Sequence, residues 1–131
     1  MNLSVKTSTK TELVDITSKI AKWVKESGVS EGLCMLYVPH TTAAVTINES
    51  ADPSVRGDIM MVLNQIIPWD ANYKHLEGNS PAHIMASLMG SSLTIAVDSS
   101  SFVLGTWQKI FFCEFDGPRT RKVHYHFLTN L

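Results

Sequence analysis

The sequence lacks an apolar run long enough to cross a membrane, and it lacks a cysteine pair with the C-x-x-C spacing of metal and redox motifs. Residues 1–10 contain no apolar segment of the kind found in a secretory signal. The two cysteines, Cys34 and Cys113, stand apart within apolar stretches, which favours reduced, buried thiols over a disulfide. We therefore expect a cytoplasmic protein with no membrane partner.

The sequence also lacks a surplus of either charge. It has 11 Lys and Arg against 12 Asp and Glu, and the formal net charge is −1. Because the binding of nucleic acid depends on a basic surface, and the aromatic residues lie mostly in apolar stretches, no nucleic-acid partner is expected. With 44% hydrophobic and 18% charged residues, the composition is typical of a compact fold, and we predict one domain over residues 1–131.

The first two thirds of the chain predict strands and helices in mixed order. Residues 2–9 alternate as a strand with one wet face. Residues 15–28 form an amphipathic helix that Gly28 ends, with Asp15 or Thr11 as its cap. Its apolar face holds Ile16, Ile20, Trp23 and Val24. The predicted elements that follow are a strand buried on both sides at 32–39, a strand at 40–48, a helix that Asp52 caps and that ends before Pro68, a long loop at 68–82, and a short helix at 82–89.

The last third predicts a meander of strands. Strand-like stretches at 92–97, 102–105, 106–115 and 119–128 are separated by short turns, at Asp98–Ser101 and at Asp116–Pro118. Strands joined by short turns pair antiparallel. The predicted fold is therefore a single α+β domain with a mainly antiparallel sheet, sandwich-like or barrel-like, two main helices and one short helix.

A small polar face is predicted on the strand at 40–48. Side chains alternate along a strand, so one face would carry His40, Thr42, Ala44, Thr46 and Asn48, and the other Thr41, Ala43, Val45 and Ile47. The second face suits a core. The first, which begins with a histidine, suits a pocket.

The five histidines are the richest chemical signal in the sequence. His75 and His83 are close in sequence with Glu77 between them, and a transition metal needs two or three imidazoles, often with a carboxylate. The spacing matches no local zinc motif such as H-E-x-x-H, and each histidine alone is more readily structural or exposed. His124 and His126 fit the wet face of a strand.

Glu114 stands among phenylalanines, where a carboxylate is costly unless it is paired. Arg119 or Arg121, across the turn at Asp116–Pro118, could pair with it. The alternative is a role as acid, base or metal ligand. Arg119, Arg121 and Lys122 form the one dense basic cluster of the sequence, which could hold a phosphate or a carboxylate or could simply be a solvated face.

Several motifs occur together in a family-specific order. They are H-T-T-A-A-V-T-I-N-E at 40–49, D-P at 52–53, P-A-H at 81–83 with a later Gly90, L-G-T-W-Q-K-I at 104–110 and E-F-D-G-P-R-T-R at 114–121. The chain resembles the YjbQ-like family, also described as the secondary thiamine-phosphate synthase family, from about Val5 to Val123. The G-T-W-Q segment is the most specific part. The sequence departs from the family pattern at Ser100 and Ser101, where a glycine and an arginine are usual, and at Ser50, which replaces a common asparagine.

The resemblance implies an α+β homotrimer with a polar pocket at the subunit interface. Residues at the family's recurrent polar positions would line this pocket, and Arg119 and Arg121 match recurrent basic positions. The polar positions are His40, Thr41, Thr42, Asn48, Glu49, Asp52, His75, Asn79, His83, Gln108 and Glu114.

Three functions remain open at this stage. The first is an enzyme for a small, phosphorylated or carbonyl compound, with thiamine-phosphate formation from a pyrimidine pyrophosphate and a thiazole phosphate as the reaction that the resemblance implies. The second is a metal- or metabolite-binding trimer without turnover, and the third is a purely structural role. The enzyme hypothesis assigns catalysis to His40, Glu49 and Glu114, a zinc-like metal to His75 and His83 with His40 as third ligand, and substrate binding to Thr41, Thr42, Asn48, Asp52, Asn79, Gln108, Arg119 and Arg121. Pyrophosphate chemistry would instead use magnesium on Glu49 and Asp52.

Overall fold

The computed structural model describes residues 1–129, so the predicted domain boundary at residue 131 lies outside the described part. Eight strands and three helices follow one another along this part of the chain. They are β1 (Asn2–Lys6), β2 (Glu12–Asp15), α1 (Thr17–Ser27), β3 (Glu31–Tyr37), β4 (Ala43–Glu49), α2 (Pro53–Ile66), α3 (Ser80–Met89), β5 (Ser92–Asp98), β6 (Ser101–Phe102), β7 (Gln108–Glu114) and β8 (Thr120–Thr129). The predicted α+β class is confirmed.

The strands form two antiparallel sheets. The larger has the order β1-β8-β3-β5-β6 and the smaller the order β2-β7-β4. The predicted meander is wrong, because β7 belongs to the small sheet while β8 lies between β1 and β3. The sequence prediction also missed β2, a strand of four residues that is too short to show a period of its own and that is defined by its pairing with β7.

The small sheet is the middle layer of the fold. One core lies between the two sheets and includes Ile20 and Val24 of α1 together with Phe112 of β7. The other lies between the small sheet and helices α2 and α3, and includes Phe111 and Met85. Adjacent residues of β7 therefore enter different cores, which explains why its sequence is continuously apolar.

Strand β3 is buried on one face, so its predicted burial on both sides is wrong for the single chain. Cys34 and Leu36 have no exposed surface, whereas Leu33, Met35 and Tyr37 are 43%, 36% and 45% exposed. The two faces are both apolar, and periodicity cannot tell which of them the same chain covers. The uncovered face is the outer surface of the large sheet.

The helix boundaries follow local capping chemistry. Asp52 accepts a hydrogen bond from the Ser54 amide (2.9 Å) at the start of α2, as predicted. Gly28 ends α1 in the left-handed conformation (φ 76°), and Asp15 accepts from the Thr17 amide at its start. Helix α3 begins at Ser80, two residues before the predicted start. No helix in residues 1–129 is long and apolar enough to cross a membrane.

Two predicted helix faces are less buried than their apolar spacing indicates. Trp23 of α1 is 38% exposed, although its ring packs on that of Tyr125 at 5.8 Å. On α2, Leu63 is buried but Val62 and Ile66 are 45% and 61% exposed.

The turn between β5 and β6 was predicted correctly. Ser99 and Ser100 in this turn have φ of 52° and 60°, a backbone conformation that favours glycine or asparagine.

Candidate functional site

A polar cleft of about 450 Å³ opens where four segments meet. These segments are the loop between β3 and β4, the irregular segment 67–79, the first turn of α3 and the β7–β8 connection. Its volume is within the range of small-molecule sites, roughly 300–1,000 Å³. The lining residues are Pro39, His40, Thr41, Thr42, His75, Glu77, Asn79, His83, Asp116, Arg119 and Arg121.

Most of the predicted site residues meet in this cleft, although they come from distant parts of the sequence. All three proposed metal ligands, both arginines, Thr41, Thr42 and Asn79 line it. His83 also lines two neighbouring cavities, one of about 400 Å³ that extends towards Ser87 and Ser91, and one of about 360 Å³ beside Tyr73 and Lys74. His83 is thus the side chain that all three cavities share.

Five predicted site residues do not line the cleft: Glu114, which is buried behind it, and Asn48, Glu49, Asp52 and Gln108, whose functional roles stay predictions. Asn48 and Glu49 are at the far end of β4, where they pair with Lys109 and Gln108. Gln108 accepts a hydrogen bond from the Gly105 amide (2.8 Å), and Asp52 caps α2. The cleft lies at the Ala43 end of β4, and an extended strand cannot bring its other end, at Asn48 and Glu49, to the same place in one chain.

The predicted polar face of the strand at 40–48 was also wrong. Strand β4 begins at Ala43, so His40 lies in the preceding loop rather than on the strand. Because β4 is in the middle layer, Thr42 and Ala44 are buried, at 5% and 0% exposure. The polar surface of the cleft therefore comes from the loop 38–42 and not from alternation along a strand.

One nitrogen of His40 is fixed by the backbone of β8. The Lys122 amide donates a hydrogen bond to His40 Nε2 (2.9 Å), so the neutral ring carries its proton on Nδ1. Burial lowers the pKa of His40, and the positive charge of Arg121 lowers it further. At neutral pH, His40 is therefore an uncharged imidazole that carries its proton on Nδ1.

We expect His40 to titrate below its ordinary pKa of 6.5. Since the unfolded chain then binds this proton more readily than the folded chain does, acidification from about pH 7.5 to about pH 5.5 should reduce the stability that His40 contributes. The measurement is the histidine proton resonance of His40 during a pH titration, beside urea denaturation of wild type and His40→Gln at both pH values. A His40 pKa at or above 6.5 would contradict the assignment, as would a stability difference that grows on acidification.

His75 and His83 form an edge-to-face pair with ring centroids 5.4 Å apart. His75 Nε2 lies 3.8 Å from a carboxylate oxygen of Glu77. Within residues 1–129, no group of three or more His, Cys, Asp or Glu side chains is arranged to hold a metal ion. Since Nε2 of His40 is also engaged by the Lys122 amide, the three-histidine metal site does not fit the side chains as they stand, and metal binding stays a prediction.

Glu114 is fully buried behind the cleft and pairs with Arg121. Arg121 Nε donates to both carboxylate oxygens (2.9 and 3.1 Å), and Thr7 donates its hydroxyl to one of them (2.8 Å). The amide of Phe115 donates to the other (3.1 Å). With both oxygens engaged and no exposed surface, Glu114 acts as counter-ion to Arg121, and its predicted role as a catalytic base is wrong for this geometry.

The buried pair also shapes the floor of the cleft. Arg121 Nη2 donates to the hydroxyl of Thr42 (2.8 Å), which ties the loop 38–42 to β8. Gly117 leaves room for this arrangement, because a Cβ there would collide with the Thr9 carbonyl and approach Glu114 Cγ to 2.8 Å. The predicted arginine partner of Glu114 is thus Arg121 and not Arg119.

Asp116 is a cleft residue that sequence reasoning missed, since it was interpreted as part of a turn. Its carboxylate accepts hydrogen bonds from Asn79 (3.0 Å) and from Arg119 (2.9 Å). It therefore connects the segment before α3 with the start of β8. The available signal was its place within the E-F-D-G-P-R-T-R motif, between two residues that were chosen.

The chain has close relatives among known proteins. The family model described as UPF0047 protein YjbQ-like matches residues 1–130. A UPF0047 protein of Methanocaldococcus jannaschii is 54% identical over 120 residues, which cover 92% of this chain and 87% of that protein. UPF0047 protein YugU of Bacillus subtilis is 44% identical over 120 residues, 91% of each chain.

Solved structures give the same picture. A YjbQ/UPF0047 protein of Clostridium acetobutylicum, described as uncharacterized, has a TM-score of 0.95 at 52% identity and covers 98% of this chain and 99% of its own. A hypothetical protein of Aeropyrum pernix has a TM-score of 0.94 at 37% identity, and the match covers 99% of this chain and 98% of that protein. The fold is therefore that of these proteins.

Proposed function

The chain belongs to the UPF0047 YjbQ-like family, and from that premise we propose that it is an enzyme acting on a small phosphorylated molecule held in the cleft. The family has no assigned reaction in the names of these relatives, so the proposal depends on the chemistry of the cleft residues. The cleft is concave, polar and lined by titratable side chains, which are the general features of an active site.

The observation that carries the proposal is the convergence of three histidines from three separate segments. His40 comes from the loop after β3, His75 from the segment before α3, and His83 from α3 itself. Imidazoles exchange protons near neutral pH, and general acid–base catalysis contributes roughly 10²–10⁴-fold to a rate. A neutral His40 with a fixed tautomer is suited to donate a hydrogen bond from Nδ1, while the adjacent pair His75 and His83 is suited to proton transfer.

The ligand class follows from the arginines. Arg119 has a side chain that is 53% exposed, and its guanidinium can contact a phosphate at the edge of the cleft. The two arginines of the cleft are offset by Asp116, by Glu77 and, behind Arg121, by Glu114, so the formal charge of this group is −1 when the histidines are neutral. Affinity for a phosphate therefore requires directed hydrogen bonds or protonated histidines, because net charge does not supply it.

Metal assistance is the less supported version of this proposal. A zinc-like ion would use the pair His75 and His83 with Glu77, and when bound it would polarise the substrate and neutralise phosphate charge. The magnesium version, on Glu49 and Asp52, would lie outside this cleft, because neither residue lines it. Thiamine-phosphate formation, which needs a cation for the leaving pyrophosphate, is accordingly a secondary reaction in our proposal.

A non-catalytic metabolite-binding protein is the second candidate. The observation in its favour is that Glu114, one of the three proposed catalytic residues, is bound by Arg121, while Glu49 lies elsewhere. The carboxylates that line the cleft are then Glu77 and Asp116, and Asp116 already accepts hydrogen bonds from Asn79 and Arg119. Binding and turnover must therefore be measured separately.

The test is a turnover assay on untagged protein with phosphate monoesters and with the pyrimidine and thiazole precursors, each with added zinc, magnesium or chelator. We expect turnover that falls about 10²–10⁴-fold in His83→Ala. The control is Lys22→Ala, since the Lys22 side chain is 71% exposed on α1, a helix that contributes no residue to the cleft. Binding without turnover under every condition would replace the enzyme by the second candidate.

We also propose a homotrimer, as the family resemblance implies. The outer face of the large sheet carries Leu33, Met35, Tyr37 and, on β8, Leu128 at 59% exposure. Large contiguous apolar surfaces are typical of interfaces. Lys122, whose amide holds His40, lies on the same strand as Leu128, so a subunit that covers this face would approach the cleft.

The free, buried cysteines are consistent with a cytoplasmic location.

A further inference from the structure

We propose that the ligand of the cleft has two parts, an anionic group that lies beside Arg119 and an uncharged body that lies in the neighbouring cavity of about 400 Å³. This cavity extends towards Ser87 and Ser91, and we call it the side cavity. The inference rests on the proposed function for the anion-binding role of the cleft, but it does not require turnover. It assigns the size limit of the ligand to Ser87 and Ser91.

The side cavity and the cleft share part of their walls. His40, Thr41 and His83 line both of them. Thr41 is exposed and the two histidines are partly exposed, so the boundary between the two spaces lies at the accessible surface of the protein. A molecule bound beside Arg119 can therefore extend past the histidines into the side cavity.

The two spaces differ in the charge of their linings. The cleft is lined by four charged side chains, which are Glu77, Asp116, Arg119 and Arg121. Within residues 1–129, the lining of the side cavity includes no Asp, Glu, Lys or Arg. Because a charged group that leaves water without a partner is costly, the side cavity suits an uncharged group, and the anionic group belongs at the arginine end.

The shape of the side cavity follows from one face of α3. His83, Ala86 and Ser87 are three and four positions apart, so they lie on the same side of the helix. The Ser87 hydroxyl donates a hydrogen bond to the His83 carbonyl (2.9 Å), which keeps this side chain against its own helix. Ala86 has no side-chain atom beyond Cβ, so neither residue fills the space in front of α3.

The size of the side cavity sets the size of the uncharged body. A cavity of roughly 150 Å³ is enough to hold benzene in an engineered protein core. The side cavity, with about 400 Å³, therefore has room for a body of at least one ring. The ligand class is an organic phosphate, or another organic anion, with an uncharged ring next to its charged group.

The test compares three probes by isothermal titration calorimetry on untagged protein. Methyl phosphate has the anionic group alone, benzyl alcohol has the ring alone, and benzyl phosphate has both. For wild type we expect benzyl phosphate to bind about tenfold more tightly than methyl phosphate, because its ring leaves water on entering the side cavity. Benzyl alcohol should bind more weakly than benzyl phosphate, because it lacks the contact with Arg119.

Two variants fill the side cavity from different parts of the chain. Ser87→Phe does so from α3 and Ser91→Phe from the residue before β5, and each should remove the tenfold advantage of benzyl phosphate over methyl phosphate. Ser87→Ala removes the hydroxyl without adding volume and should keep the advantage. The matched control is Ser18→Phe, at an exposed serine of α1, a helix that lines neither the cleft nor the side cavity.

The outcomes separate this inference from the proposed function. Equal binding of methyl phosphate and benzyl phosphate to wild type would overturn the two-part ligand while leaving the cleft as an anion site. An advantage that persists in both Ser87→Phe and Ser91→Phe would overturn it as well, and so would wild type that binds none of the probes. Tighter binding of benzyl phosphate that both variants abolish, without any turnover, would support this inference while removing the enzyme proposal.

Discussion

Replacing Arg121 with methionine is expected to lower the free energy of unfolding by about 3–5 kcal/mol. The change would leave the Glu114 carboxylate, with 0% exposure, buried without its positive partner. It would also remove the hydrogen bond from Arg121 to Thr42 that ties the loop 38–42 to β8. Urea denaturation of both proteins at neutral pH measures the difference.

The neighbouring arginine provides the control for this prediction. Arg119 pairs with Asp116 at the surface, and Arg119→Met should cost less than about 1 kcal/mol, as exposed pairs generally do. The double variant Glu114→Gln with Arg121→Met should recover part of the loss, because no charge is then buried. If Arg121→Met were no more destabilising than Arg119→Met, Glu114 would not depend on this pair.

Replacing Met35 with lysine is expected to convert the proposed trimer into single chains. Met35 lies at the centre of the uncovered face of β3, where its neighbours across the sheet are Thr94 and His126. In a symmetric trimer the new charge would be introduced once per subunit into an apolar interface, and a buried unpaired charge is costly. Light scattering should give about three times the 14.5 kDa chain mass for wild type and a single-chain mass for the variant.

Met61→Lys is the matched control, because Met61 is 51% exposed on α2, away from the large sheet. It should leave the mass of wild type unchanged. Two results would contradict the proposed interface: a wild type with single-chain mass, or a Met35→Lys protein that retains the full mass of wild type. A Met61→Lys protein that dissociates would place the interface on the helices instead.

The sequence was sufficient for features that neighbouring residues determine. The Asp52 cap, the end of α1 at Gly28 and the turn before β6 depend on side chains and dihedral angles within a few residues, and all three were predicted. The pairing of the strands could not be predicted in this way. Strand β8 pairs with β1 and β3, and the paired residues are more than 80 positions apart in the sequence. The small sheet as the middle layer follows from that pairing.

The difference between local and long-range contacts also explains which site residues were predicted. The family resemblance brought in His40, His75, His83, Asn79 and Arg119 without any knowledge of their positions, and they meet in one cleft. Asn48 and Glu49 were chosen on the same basis, but a strand is straight and its far end cannot reach the histidines.

Asp116 was missed for a different reason. Its importance comes from two partners, one of them 37 residues away in sequence. A residue that interacts through such partners cannot be recognised from periodicity or from local spacing.

A histidine-resolved NMR titration tests the central claim, that the cleft is the functional site, most directly. The five histidines divide into His40, His75 and His83 in the cleft and His124 and His126 on β8. On addition of glycerol 1-phosphate, and separately of zinc, we predict shifts for the three cleft histidines and little change for the two on β8. Shifts confined to His124 and His126, or the absence of any shift in the cleft histidines with both probes, would contradict the account.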